Sequence, residues 1–221
     1  MANRSSTVSA EQPWDWTTTS IVLYDPLVIH FANRFVWGCP SSRILAQYKR
    51  HITANHLDVG VGTGWYIHRC GFPSSDVRLA LMDINRDSLS RASKRLERYR
   101  PEVYQANVLK PLGLDVKPFS SLSISYLLHC LPGNMQAKAV AFDHLKTVLE
   151  PGGMFFGSTL LSHGVRSSFN ARRMMKRHNQ AGMFSNSEDS LDSLRTELER
   201  RFEAVEIHTI GCVALFSARL G

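Results

Sequence analysis

The chain has 221 residues, 43% of them hydrophobic and 20% charged, with a formal net charge of +7. That length suits one domain with a full core, and no apolar run reaches the roughly 18 to 20 residues a membrane span requires. Four scattered cysteines, Cys39, Cys70, Cys130 and Cys212, show no CxxC or metal-ligand spacing, which argues against a disulfide framework or zinc site and for reduced thiols in a cytoplasmic protein.

The segment 1–12 is polar, lacks the apolar stretch of a secretory signal, and reads as a disordered lead-in. Two helices are expected within 13–51. Asp25 followed by Pro26 suits a helix start, Leu27, Val28, Phe31, Phe35 and Trp37 supply its apolar surface, and Gly38-Cys39-Pro40 stops it. Ser41 or Ser42 would cap the second, which runs to about Arg50. The run His56-Leu57-Asp58-Val59-Gly60-Val61-Gly62-Thr63-Gly64-Trp65 then describes a strand turning tightly into a helix. Its glycines stand as G-x-G-x-G, whereas a dinucleotide fingerprint needs G-x-G-x-x-G over a pyrophosphate. A phosphate-free ligand fits better, because a carboxylate at Asp58 repels phosphate and attracts an ammonium.

Leu79 to Asn85 reads as a second strand ending in Asp83, and Asn85 would cap a helix carrying Leu89, Ala92, Leu96 and Tyr99. Tyr104–Val108 reads as a third strand, and Ile124–Pro132 as a fourth with its following turn. A helix carries Met135, Ala139, Phe142 and Leu145, and Pro151-Gly152-Gly153 turns into a fifth strand. A helical insertion over 162–184 contains Arg172, Arg173, Lys176 and Arg177 on a shared face. A solvated helix face explains that cluster; a site for an anionic acceptor or a carrier-bound phosphate is the sharper alternative. Ser185–Glu188 reads as a capping box before the stripe Leu191, Leu194, Leu198 and Phe202. Glu203–Arg219 reads as two strands around Gly211. Strands alternating with helices give an α/β doubly wound sheet. The basic residues are spread along the chain without interleaved aromatics, so neither nucleic acid nor membrane is expected as a partner.

In order, the Gly-rich run, the strand to Asp83, the segment Tyr104–Val108, the Leu128-His129-Cys130-Leu131-Pro132 turn and the Leu149-Glu150-Pro151-Gly152-Gly153 turn resemble the motifs of the class I methyltransferases that use S-adenosylmethionine (SAM). The resemblance covers roughly residues 52 to 160. It implies a Rossmann-like, seven-stranded sheet with a terminal antiparallel hairpin over 52–221, and an N-terminal helical lid over 13–51. It also implies methyl transfer to a small molecule of secondary metabolism, with S-adenosylhomocysteine (SAH) as product. Asp58 would take the ammonium of SAM, and the loop of Gly60, Gly62, Thr63 and Gly64 would wrap its methionine part. Asp83 would accept the ribose hydroxyls, Ile84 would pack on the adenine, and Asn107 and Val108 would read its edge, beside Leu128. Tyr24 and His30 could close over the site, and His129 is the candidate general base, unless the acceptor arrives already ionised. Asn107 departs from the family's more usual Asp. A SAM-binding fold without methyl transfer and an RNA methyltransferase are the competing readings.

Overall fold

The structure, a computed structural model, describes residues 25–221, with side chains from Phe31 onward. The expected lead-in 1–12 and Tyr24 lie outside the described residues, as does the side chain of His30. Seven strands form one sheet: β1 (Asn55–Val59), β2 (Arg78–Asp83), β3 (Glu102–Gln105), β4 (Phe119–Ser125), β5 (Leu149–Leu160), β6 (Glu203–Ile210) and β7 (Val213–Arg219). Their order is β3-β2-β1-β4-β5-β7-β6. The pairings among the first five are parallel, while β7 runs antiparallel to both neighbours. This is the doubly wound sheet with a terminal hairpin that the sequence predicts. Strand order reverses between β1 and β4, so a crevice opens beyond their carboxyl ends, where open α/β sheets bind ligands.

Because successive side chains point to opposite faces, each strand feeds two cores. Leu57, Val59, Ala80, Met82, Leu122 and Phe155 lie in one; Leu79, Leu81, Phe156 and Leu215 lie in the other. The Pro151-Gly152-Gly153 turn lies inside β5. Phe119 pairs with Leu149 but Ser121 with Met154, so three extra residues bulge out there, and Gly152 takes a φ of 73° to allow it.

Local details depart from the sequence reading. Residues Asp25–Val36 form a π-helix. Phe31 and Phe35 are exposed on it, at 56% and 63%, while Trp37 beyond its end is buried. The next helix, α1 (Ser41–His51), has Pro40 at its cap position and no side-chain cap. Ser41 is instead its first residue, buried, and accepts a hydrogen bond from Asn33 (2.9 Å). Helix α2 spans Trp65–Cys70, and Asn85 caps α3 (Arg86–Arg95) as expected, accepting from the Asp87 and Ser88 amides. The helix predicted around Met135 is two, α4 (Met135–Lys138) and α5 (Val140–Lys146).

Insertion helix α6 covers Phe169–Gln180, with Ala171 and Met175 buried and Arg172, Arg173, Lys176 and Arg177 outward. The capping box lies five residues later than Ser185–Glu188. Ser190 and Ser193 satisfy each other's backbone amides at the start of α7 (Leu191–Glu199). Asn186 is what displaces it: fully buried, it donates to the Leu160 carbonyl and is fixed there before the helix begins.

One ion pair ties the chain that follows the insertion to α4. Lys138 Nζ donates to Asp189 Oδ2 (2.5 Å) and to the Ser185 carbonyl (2.6 Å), and both charged side chains are fully buried. The Asp189 carbonyl in turn accepts from the amides of Ser162 and His163. Burial pulls Lys138 downward and Asp189 upward toward their neutral forms, and their mutual attraction opposes it. Lys138→Ala leaves Asp189 buried without its partner and is expected to cost about 3–5 kcal/mol in urea unfolding. Lys138→Met combined with Asp189→Leu should recover most of that loss; if the double variant is as unstable as the single, the pair is not the cause.

Candidate functional site

At the end of β1 the backbone rises into a loop in which Gly60, Gly62 and Gly64 all take positive φ, at 68°, 53° and 70°. The first and third are packing positions. A Cβ on Gly60 would lie 3.0 Å from the Leu127 side chain, and one on Gly64 3.1 Å from Leu96. A Cβ on Gly62 would meet nothing within 4 Å, so its face looks into open space. Thr63 Oγ1 accepts from Arg95 of α3 (3.1 Å), which pins the loop from behind. In front of it lies a cavity of about 40 Å³ lined by Tyr48, Asp58, the glycine loop, Tyr66, Ser125 and Tyr126. A space of that size suits a small charged head group, and a nucleoside would have to lie on the more open surface towards Asp83.

Asp58 is 4% exposed. Its Oδ1 accepts from Tyr48 (2.9 Å) and, in a short contact, from the Ser123 hydroxyl. Burial raises its pKa to about 6, against the two hydroxyls and with a small push from Asp83. Ser125, two residues beyond Ser123 on the same face of β4, has a buried hydroxyl without a hydrogen-bond partner. A buried carboxylate and an unmatched hydroxyl facing one small cavity are what an amino-acid head group requires, so these residues fit the methionine end of SAM.

Asp83 stands across the loop. Its Oδ2 accepts from the Gly62 amide (3.4 Å) and its Oδ1 from the Asn85 amide (2.9 Å), while burial raises its pKa. Asn85 rather than Asp83 caps α3, which leaves Asp83 free lone pairs for a diol. Ile84 beside it is 36% exposed, an apolar surface on which a base could stack. Asn107 and Val108 follow β3 in the loop instead of extending it. Asn107 Oδ1 accepts from the Leu109 amide (2.9 Å), so its NH₂ is the group left to read a ring nitrogen. Val108 is buried, and Leu128 wholly so, in the short 3₁₀ turn Leu128–Cys130.

His129 shares that turn but not that cavity. It is 4% exposed, packed edge-on against Phe184 (4.6 Å) and Tyr126 (5.6 Å), with Nδ1 3.5 Å from Thr159 Oγ1. Burial, with Lys138 and His178 nearby, lowers its pKa to about 3. Phe184 stacks on His178 (4.7 Å) and meets Trp37 (6.1 Å). Tyr126 joins the two halves: it takes a φ of 56°, rare for an aromatic residue, and its ring faces both Asp58's cavity and His129.

Sequence reasoning missed Tyr48, Tyr66, Ser123, Ser125 and Tyr126. A usable signal was present in β4. A doubly covered parallel strand should be almost continuously apolar, yet Ser121, Ser123 and Ser125 recur with period two on one face.

If Asp58 holds the ammonium, SAH must expel the Asp58 proton to bind in acid. Affinity is then expected to fall as pH drops through about 6, becoming roughly tenfold weaker at pH 5 than at pH 7.5. Calorimetric titration checks this, and Asp58→Asn should remove the dependence; a pH-independent wild type would contradict it.

Residues 57–155 match the methyltransferase domain family. The chain is 37% identical over 92% of its length to demethylluteothin O-methyltransferase of Streptomyces thioluteus, covering 88% of that protein. It is 35% identical to the physcion biosynthesis cluster O-methyltransferase of Aspergillus chevalieri, covering 89% of each chain. Among solved structures it superimposes on the N-methyltransferase NodS from Bradyrhizobium japonicum, in complex with SAH, with a TM-score of 0.63. That match has 15% identity and covers 95% of this chain and 99% of the other. The O-methyltransferase NcsB1 of neocarzinostatin biosynthesis aligns with a TM-score of 0.63 at 17% identity, covering 92% and 58%. With these relatives covered over most of their length and the glycine loop and its two acids in place, the chain belongs to the SAM-dependent methyltransferases of class I.

Proposed function

We propose that this methyltransferase acts on a small, flat, hydroxylated natural product bound against the half-buried rings of Tyr126, Phe184 and His178, which the buried rings of His129 and Trp37 back. The observation that carries this reading is their unbroken contact from the end of β4 to the 162–184 insertion. The named relatives, O-methyltransferases of luteothin and physcion formation and an N-methyltransferase of Penicillium aethiopicum, support a small-molecule acceptor. SAM supplies a methyl on sulfonium for in-line displacement. The protein's part is to hold Asp58, the loop of Gly60, Gly62, Thr63 and Gly64, and Asp83 on the cofactor side, with Ile84, Asn107, Val108 and Leu128 around the base. It also brings an acceptor oxygen into line from the aromatic side.

In this reading the π-helix that carries His30, together with the 162–184 insertion, covers the acceptor, while α1 belongs to the body through Tyr48. His129 contributes a hydrogen-bond acceptor and a wall. Its ring is neutral near pH 7, and a pKa near 3 makes it a weak base for a hydroxyl. The acceptor therefore provides its own ionised oxygen, as a phenol or acidic enol does.

A groove of about 490 Å³ beside α6 supports an anionic or carrier-bound acceptor. Arg172, Lys176, His163 and Asn179 are among its lining residues, and none of its described lining residues is acidic. Four free thiols fit a cytoplasmic enzyme.

A panel of phenolic and enolic acceptors should yield methylated product and SAH in equal amounts. The acid limb of kcat/KM should track each acceptor's own hydroxyl pKa, and His129→Ala should raise the acceptor KM without moving that limb. A limb that stays fixed across acceptors and vanishes in His129→Ala would establish the general base instead. Arg172→Glu with Lys176→Glu should raise KM about tenfold or more for carboxylated acceptors alone; an equal effect on uncharged acceptors would remove the groove from the site.

A further inference from the structure

Beneath Asp58 the sheet carries a line of polar side chains that the methyl-transfer chemistry does not account for. His56 precedes Asp58 by two residues on the same face of β1, and Ser121 and Ser123 are their register partners on β4. All four are buried in the apolar layer of Leu79, Leu81 and Phe156, with the Phe156 ring stacked on His56 at 5.8 Å. His56 Nδ1 lies 2.8 Å from Ser121 Oγ, and its Nε2 lies 3.0 Å from Ser123 Oγ. Ser121 Oγ also accepts from the Thr53 amide (3.0 Å) and lies 2.9 Å from the Thr53 hydroxyl, where either oxygen can donate.

The direction of every hydrogen bond follows from one end. An ionised Asp58 can only accept, so the Ser123 hydroxyl, like that of Tyr48, must donate to it. Ser123 has then spent its one proton and must receive from His56, which places the imidazole proton on Nε2. In a neutral ring the other nitrogen is an acceptor, so Ser121 donates to Nδ1, and Ser121 itself receives from Thr53. The ring is neutral, because full burial drives its pKa down to about 3. Each bond polarises the next toward Asp58.

We propose that His56 is a positioning residue: locked as its Nε2–H tautomer by Ser121, it aims the Ser123 hydroxyl at Asp58 and so keeps that carboxylate ready for an ammonium. The groups bearing on Asp58 from the surrounding elements are Tyr48 of α1, Cys70 of α2, whose thiol burial keeps protonated, Asp83 of β2 and Ser123 of β4. Burial raises the Tyr48 pKa well above its usual value, so Tyr48 keeps its proton across the working range. The binding consequence rests on Asp58 holding the cofactor's ammonium, whereas the tautomer does not.

Two measurements on the full chain test it. In ¹⁵N imidazole spectra, His56 should show a protonated Nε2 and a bare Nδ1 from pH 7.5 to 8.5, where Asp58 is ionised, and Ser121→Ala should broaden or shift the Nδ1 signal. An Nδ1–H tautomer or an imidazolium would overturn the proposal, whatever SAH does. In His56→Phe, the pH midpoint of SAH affinity should move upward from the wild-type value. Binding would then weaken about three- to tenfold at pH 6.5 and much less at pH 8.5, with kcat at saturating SAM unchanged. Loss by the same factor at both pH values would mean that His56 merely packs. If His56→Phe does not fold, Ser121→Ala serves for the affinity profile, with a smaller shift in the same direction, and an unmoved midpoint contradicts the role. If wild-type affinity proves independent of pH while the tautomer stands, Asp58's ammonium role fails and the column does not.

Discussion

A carboxylate held almost out of water at the mouth of a parallel sheet is the constraint on which this site turns. Asp58 sits at the end of β1, and burial works against its charge. The folded chain takes up the Asp58 proton more readily than an unfolded one would. This group therefore supports the free fold in acid and ceases to do so as pH rises through about 6. Tyr48 and Ser123 reduce the penalty of keeping the charge, and an ammonium placed before it would remove much of the rest. The glycine loop above has to leave room for that group, which explains why the Gly62 face opens onto space while Gly60 and Gly64 serve close packing.

The same crevice divides by chemistry. On the β1–β2 side the residues are polar and tied to one another: the Gly62 and Asn85 amides donate to the Asp83 carboxylate, and the Arg95 guanidinium donates to the Thr63 hydroxyl. On the β4–β5 side they are aromatic: Tyr126 and His129 follow β4, Trp37 follows the π-helix, and the insertion after β5 adds His178 and Phe184. The insertion is held by Ala171 and Met175, buried in the core, and the chain after it by the buried Lys138–Asp189 pair and by Asn186 on the Leu160 carbonyl. Tyr126, in its left-handed conformation, belongs to both sides.

Much of this was legible in the sequence because it is local. The strand, the three glycines and the acid at Asp58 are neighbours along the chain, and Asp83 ends the next strand. The doubly wound α/β class followed from the alternation of elements, and the terminal hairpin from the resemblance. What escaped was assembled across strands and helices. Tyr48 reaches Asp58 from a helix that the sequence assigns to a lid, and His56 meets Ser121 and Ser123 only through the β1–β4 register. The sequence places the capping box at Ser185–Glu188 because S-x-x-E is the stronger local pattern, but the buried Asn186 accepts from the Asp189 amide in a turn, and the helix starts only after Ser190. Phe31 and Phe35 are apolar at helical spacing yet face outward, a direction that periodicity alone does not fix.

The most direct test of the account is proton release on SAH binding at pH 6, read from calorimetric heats in buffers of unlike ionisation enthalpy. A carboxyl of pKa about 6 is half protonated in the free protein and ionised in the complex. About half a proton should therefore leave for each SAH bound, and none in Asp58→Asn. Binding heats that do not depend on the buffer, or proton uptake in its place, would mean that Asp58 does not receive the ammonium.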